Sequence, residues 1–163
     1  MAAPPLTTIW RTGGVVRTFC ASVVLPLLVG GLLYIGLRSP QLVLFRWVEL
    51  LGLVRVVAAW RSVLAPLAPV VPEWVVFSLP DALWTYALAW SLARVWRDSP
   101  RALLIGALTV PVLAGPGYEL AQWVGWIPGT FDPVDVLLTS CACLVGAVLG
   151  VRSRTRSKER DQS

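Results

Sequence analysis

The run FCASVVLPLLVGGLLYIGL, residues 19–37, holds nineteen residues without one charged side chain. At about 1.5 Å of helical rise per residue, such a run covers most of the roughly 30 Å hydrocarbon layer of a bilayer. A secretory signal would have a shorter apolar core and a small-residue cleavage site. Here Arg38-Ser39-Pro40 follows, so the run reads as an uncleaved membrane span. Three more candidates follow it. Residues 74–96 are apolar apart from Asp81 near the start and Arg94 near the end. Residues 102–123 carry no charge until Glu119 and contain Pro111, Gly115, Pro116 and Gly117. Prolines and glycines of this kind kink a helix and free backbone carbonyls, which neighbouring helices then satisfy. Residues 133–151 form the fourth span, after a turn over 125–130.

Between the first two spans lies 41–61, apolar but interrupted by Arg46, Glu49, Arg55 and Arg61. A charge at mid-bilayer costs about 2.5–3.5 kcal/mol on insertion scales. Pairing of Arg46 with Glu49 would still leave Arg55, so an amphipathic helix lying in the interface is the cheaper arrangement. Pro66, Pro69 and Pro72 then break the chain. These readings predict an all-α, polytopic transmembrane helical bundle of about four spans plus an interfacial helix. It forms a single transmembrane domain, 1–151, followed by a basic tail, 152–163, without fixed structure. Were 41–61 to span instead, only the side of the N-terminus would change.

Composition agrees. Of 163 residues 56% are hydrophobic and 14% charged, against about a quarter charged in soluble domains. The net charge of +5 sits beside apolar runs and in the tail, which fits membrane orientation and argues against a nucleic-acid groove. The tail holds Arg152, Arg154, Arg156, Lys158 and Arg160, and the link between the second and third spans holds Arg97 and Arg101. The loop 124–132 has no basic residue. Cytoplasmic loops carry the Lys and Arg excess, so tail, link and N-terminus are expected in the cytoplasm and that loop outside. Arg38, Arg46, Arg55 and Arg61 run against this pattern. Trp74, Trp96, Trp123 and Trp126 fall at span ends, as an interfacial aromatic belt does.

Histidine is absent, which removes Ser-His-Asp and Cys-His catalysis, the HExxH zinc motif and histidine-ligated haem. Cys20, Cys141 and Cys143 lie in apolar runs and read as small apolar residues. Polar side chains within apolar helices usually face the bundle interior or a wet cavity. The predicted topology brings Asp81, Glu119, Gln122, Asp132 and Asp135 to one level, toward the outer leaflet. Some have ordinary roles available. Asp132-Pro133-Val134-Asp135 has the pattern of a helix start, with Asp132 as cap and Asp135 in the first turn. Ser78-Leu79-Pro80-Asp81 allows the same for Ser78 and Asp81. Glu119 has no such role, because it sits near a helix C-terminus, where the dipole disfavours a negative charge. Gln122, three residues on, shares its face and is expected to orient its carboxyl group.

The segments Leu79-Pro80-Asp81-Ala82-Leu83-Trp84-Thr85-Tyr86, Tyr118-Glu119-Leu120-Ala121-Gln122 and Pro128-Gly129-Thr130-Phe131-Asp132-Pro133-Val134-Asp135-Val136-Leu137, with Gly146 and Gly150 closing the last span, resemble the VanZ-like bacterial membrane proteins. The resemblance covers about 78–150. It implies a cell-envelope protein of the cell membrane, with Glu119, Gln122 and Asp135 on the family's polar positions. The leading expectation is a binder of a lipid-linked or cell-wall-related ligand at Asp81, Glu119, Gln122 and Asp135, with Arg46, Arg55 and Arg61 near its phosphates. No cofactor is needed for that. Three alternatives belong to other classes. One is a lipid-processing enzyme holding magnesium or calcium through Asp81, Glu119 and Asp135. Another is a homo-oligomeric or hetero-oligomeric assembly subunit packing through Gly146 and Gly150. The last is a transporter.

Overall fold

A computed structural model describes residues 14–40 and 43–153. The leader with Arg11, Gln41 at the head of the amphipathic stretch and the basic tail from residue 154 lie outside the described residues. Among the described residues every regular element is helical. They are α1 (Gly14–Leu37), α2 (Val43–Leu50), α3 (Val54–Leu64), α4 (Glu73–Trp96), α5 (Arg101–Trp123) and α6 (Pro133–Arg152). Helices α1, α5 and α6 are each long and apolar enough to cross a membrane. Their outward side chains, among them Leu28, Ile105, Leu113, Leu137 and Leu144, are more than half exposed. Exposed apolar surface on this scale suits contact with lipid, as in a multi-pass membrane protein.

Helix α4 has 24 residues and a more mixed composition, and it packs against α1, α5 and α6. Its buried positions include Ala82, Ala87, Ala89 and Ala93. Small residues let backbones approach, which is how helices gain dispersion energy where no hydrophobic force separates them from lipid. Along α6 the matching positions are Gly146 and Gly150. A Cβ on either would lie 2.6 Å from a carbonyl oxygen of α4, that of Tyr86 or Trp90 respectively. These contacts set α6 parallel to α4. On the other side Gly30 of α1 receives the Trp84 ring, whose Nε1 donates to the Leu27 carbonyl at 3.4 Å. Thus α1 runs antiparallel to α4. The glycine pair expected to serve an assembly partner is occupied within the chain, by α4.

Three prolines inside helices, Pro26, Pro80 and Pro116, are each met by an adjustment. Pro26 of α1 follows a π-turn at Cys20–Val24, and Pro116 of α5 lies within another at Leu113–Gly117. A π-turn shifts hydrogen bonding to i→i−5 and so accommodates a missing N–H. Pro80 of α4 leaves the carbonyl of Val76 without its helical donor. Here Arg38, just past the end of α1, supplies one. Its Nε donates to Val76 O at 3.3 Å and its Nη2 to Phe77 O at 2.5 Å.

The stretch 41–61 differs from expectation. It is two helices, α2 of 8 residues and α3 of 11, broken at Gly52 with φ +68°. Their lengths, about 12 and 17 Å, leave neither helix long enough by itself to cross a bilayer. Arg46 and Glu49 are exposed and form no ion pair with each other. Arg61 is not free for phosphates on all sides, because its Nη1 donates to Ile35 O at 2.8 Å and to Arg38 O at 2.7 Å. It thereby caps the C-terminus of α1, where a cation also meets the negative end of the dipole. At the opposite end of the bundle Arg94 and Arg97 both donate to Ser153 O just past α6.

Gly146→Val should lower the melting temperature of the detergent-solubilised protein, since overpacking costs about 1–3 kcal/mol. Gly106→Val, at a position with open space around it, should leave the temperature nearly unchanged. Equal effects of the two, read by size-exclusion after heating, would remove the α4–α6 contact from its central place.

Candidate functional site

Gly115 lies in the π-turn of α5, and a Cβ there would stand 3.0 Å from Thr85 Oγ1 and 3.1 Å from Thr139 Cβ. The last turns of α5 are thereby seated between α4 and α6. Above this seat is a cavity of about 370 Å³ whose lining includes Asp81, Thr85, Tyr118, Glu119, Asp135 and Thr139. Carboxylates from three different helices therefore share one space, as the sequence reading requires of them. Gln122 is not part of the lining.

Each carboxylate is held differently. Asp81 is not a first-turn residue, since α4 begins at Glu73, and Ser78 is fully buried within the helix rather than capping it. The capping alternative for this pair is thereby replaced. Asp81 Oδ2 instead meets Arg38 Nη2 at 3.4 Å, with the Asp81 side chain 42% exposed. Arg38 also stacks on the rings of Tyr34 and Phe77 at 4.9 and 5.1 Å from their centroids. The guanidinium is fixed on several sides.

Glu119 answers the objection raised by its position. Its Oε2 accepts from the backbone N–H of Asp132 at 3.4 Å, so the positive end of α6 offsets the negative end of α5. Asp132 caps α6 as expected, Oδ1 accepting from Val134 N at 2.8 Å. Asp135 is more than a capping residue. Its Oδ1 is buried and has no hydrogen-bond partner, while its carbonyl accepts from Thr139 Oγ1 at 2.6 Å. A buried carboxylate oxygen without a donor is costly and unusual. Gln122 does not orient Glu119. Its amide lies under Gly129, where a Cβ would come within 2.6 Å of Gln122 Cδ, and Gly129 has φ +152°. Gln122 packs against the α5–α6 turn, its Oε1 buried without a hydrogen-bond partner.

Sequence reasoning missed Arg38, Thr85 and Thr139. Pro80 was the available signal for Arg38, because it marks the Val76 carbonyl as in need of a donor, but the donor lies some forty residues away. Thr85 and Thr139 are ordinary in sequence and acquire their place only from the seat around Gly115. Such a cavity can accept hydrogen bonds from ammonium, hydroxyl or amide groups, or face a hard cation. Among the described residues, no three His, Cys, Asp or Glu side chains are gathered closely enough to hold one ion. No family profile, curated protein or solved structure matches the chain.

Arg38→Gln should destabilise the protein by about 1.5–3 kcal/mol, the range for a hydrogen bond to a charged group. Arg46→Gln, at an exposed position, should change stability by less than about 0.5 kcal/mol. Denaturant titration in detergent separates the two, and an unchanged Arg38→Gln would make the clamp on α4 dispensable.

Proposed function

We propose that this chain is a VanZ-like membrane protein of the bacterial cell envelope that binds a lipid-linked or cell-wall-related ligand in the acidic cavity. One observation carries the reading, the convergence of Asp81, Glu119 and Asp135 from three helices on a single cavity. Carboxylates at the ends of apolar helices are costly and are retained where they meet a partner. The acidic oxygens recognise the donor groups of such a ligand, its amines, hydroxyls or amide N–H groups. The apolar flanks of α5 leave the site adjacent to lipid, which suits a ligand carried on a lipid tail.

In this reading α4 also spans, packed among α1, α5 and α6, and α2 and α3 lie in the interface as a broken amphipathic pair. Both chain ends are cytoplasmic and the acidic cavity faces outward, in keeping with Arg97 and Arg101 at one end and a 124–132 loop without basic residues at the other. Reporter fusions after Asp98 and Ser163 should read cytoplasmic and one at Gly129 external. An external reading at Ser163 would move the cavity to the inner face and sink the envelope assignment.

A second reading, a lipid-processing enzyme using magnesium or calcium, is the weaker one, because among the described residues no three carboxylates are gathered closely enough to hold one ion. That reading requires a melting temperature that rises with the cation in the wild type but not in Asp81→Asn. Under the first reading, Glu119→Gln should keep expression and membrane level while reducing binding of a lipid-linked sugar at least tenfold. The swap retains size and hydrogen bonding and removes the charge. Asp135→Asn should behave alike, whereas Asp132→Asn should be nearly silent because Asn caps a helix about as well as Asp. Binding that survives both Glu119→Gln and Asp135→Asn, measured on purified protein, would leave the cavity without a role.

A further inference from the structure

A second cavity, of about 420 Å³, lies between the end of α1 and α3, away from the acidic one. Its walls are Gly36, Leu37, Leu64, Ala65 and Ala68, and its one charged lining residue is Arg61. The Nη1 of Arg61 is committed to two carbonyls of α1, and its guanidinium lies 5.4 Å from the centroid of the Phe45 ring. Its Nε and Nη2 donors make no hydrogen bond among the described residues, and no carboxylate there pairs with it. Residues 1–13 and 41–42 contain no Asp or Glu. Arg61 is thus a half-buried cation, positioned by its own structural bonds and left without an anion among the described residues. A charge removed from water in this way is strongly favoured by a counter-charge.

The remaining edge of the guanidinium presents parallel N–H groups, a geometry matched to two oxygens of one phosphate. Apart from Ser62, whose hydroxyl donates to the Ala59 carbonyl, the rest of the cavity is apolar, and the surface beside it carries the exposed Val63, Leu67 and Val70. A freely dissolved anion gains nothing from such walls. An amphiphile does.

We propose that the α1–α3 crevice binds the phosphate of an anionic phospholipid, Arg61 donating from Nε and Nη2 while the acyl chains lie along Leu37, Leu64 and Ala68. The bound lipid lies against the turn that carries Arg38. The carbonyl of Arg38 accepts from Arg61, and its guanidinium pairs with Asp81. The inference rests on the membrane reading of the chain but not on the ligand assigned to the acidic cavity.

The test uses the full chain released from mixed phosphatidylcholine and phosphatidylglycerol vesicles, with retained lipid counted by native mass spectrometry. The wild type should retain phosphatidylglycerol about fivefold over phosphatidylcholine, the contribution of one well-placed Arg at a lipid surface. Arg61→Gln should abolish the preference. Because that change also uncaps α1, Ala65→Trp, which fills the crevice and spares the Arg61 bonds, is the deciding variant and should abolish it too. Glu119→Gln should retain the preference in full, which separates this site from the acidic cavity. No preference in the wild type, an unchanged preference in Ala65→Trp, or displacement of the lipid by inorganic phosphate would each overturn the proposal.

Discussion

The close approach of α4 and α6 through Gly146 and Gly150 is the contact from which the other features follow. In lipid the apolar surfaces of two helices gain little by meeting, so association depends on how closely their backbones pack. Two glycines one turn apart remove the side chains that would hold the helices apart, and Ala89 and Ala93 do the same on the facing helix. Once the pair is parallel and in register, the N-terminal part of α6 lies beside the N-terminal part of α4. Asp135 and Asp81 are then brought to the same end without any attraction between them. Like charges placed together by packing elsewhere are a sign that the packing holds a site rather than that the site holds the packing.

Around that pair, arginine is used mainly against backbone carbonyls. Arg38 serves the one freed by Pro80, Arg61 those at the end of α1, and Arg94 with Arg97 the carbonyl of Ser153. A carbonyl without a donor costs several kcal/mol in an apolar surrounding, and a guanidinium has five N–H groups to offer. This accounts for arginines near the acidic end that a simple count of basic residues would assign to the cytoplasm. Arg38 and Arg61 are stitches of the fold, and their placement says little about which side of a membrane they occupy.

The three carboxylates differ in what they have left to give. Asp81 shares one oxygen with Arg38, and Glu119 leans on the N-terminus of α6 through a long hydrogen bond. Asp135 holds a buried oxygen with no donor. The cavity is therefore graded, most satisfied at the α1 side and least at the α6 side. Glu119 and Asp135 retain the greater capacity to accept hydrogen bonds from an incoming group.

Residues 19–37, 102–123 and 133–151 declared their helices in sequence, because a long apolar run with at most one charge has few alternatives in water or lipid. The capping role of Asp132 was equally legible, since it depends only on the neighbours Pro133 and Val134. The grouping of Asp81, Glu119 and Asp135 was legible at the level of helix ends, from alternation of direction along the chain. What the sequence alone could not decide was every relation across distant segments. Gln122 shares a helix face with Glu119, yet Gly129 covers it and leaves Glu119 to the backbone of Asp132. Ser78 has the composition of a cap, yet the helix begins at Glu73, because Pro72 and the prolines before it end the preceding turns there. The break at Gly52 divides a stretch that hydropathy treats as one, since hydropathy does not register a positive φ. Local hydrogen bonding and apolar length are written in neighbouring residues. The partners of Arg38, Arg61 and Gly115 are chosen by packing between helices, and only the tertiary structure holds that choice.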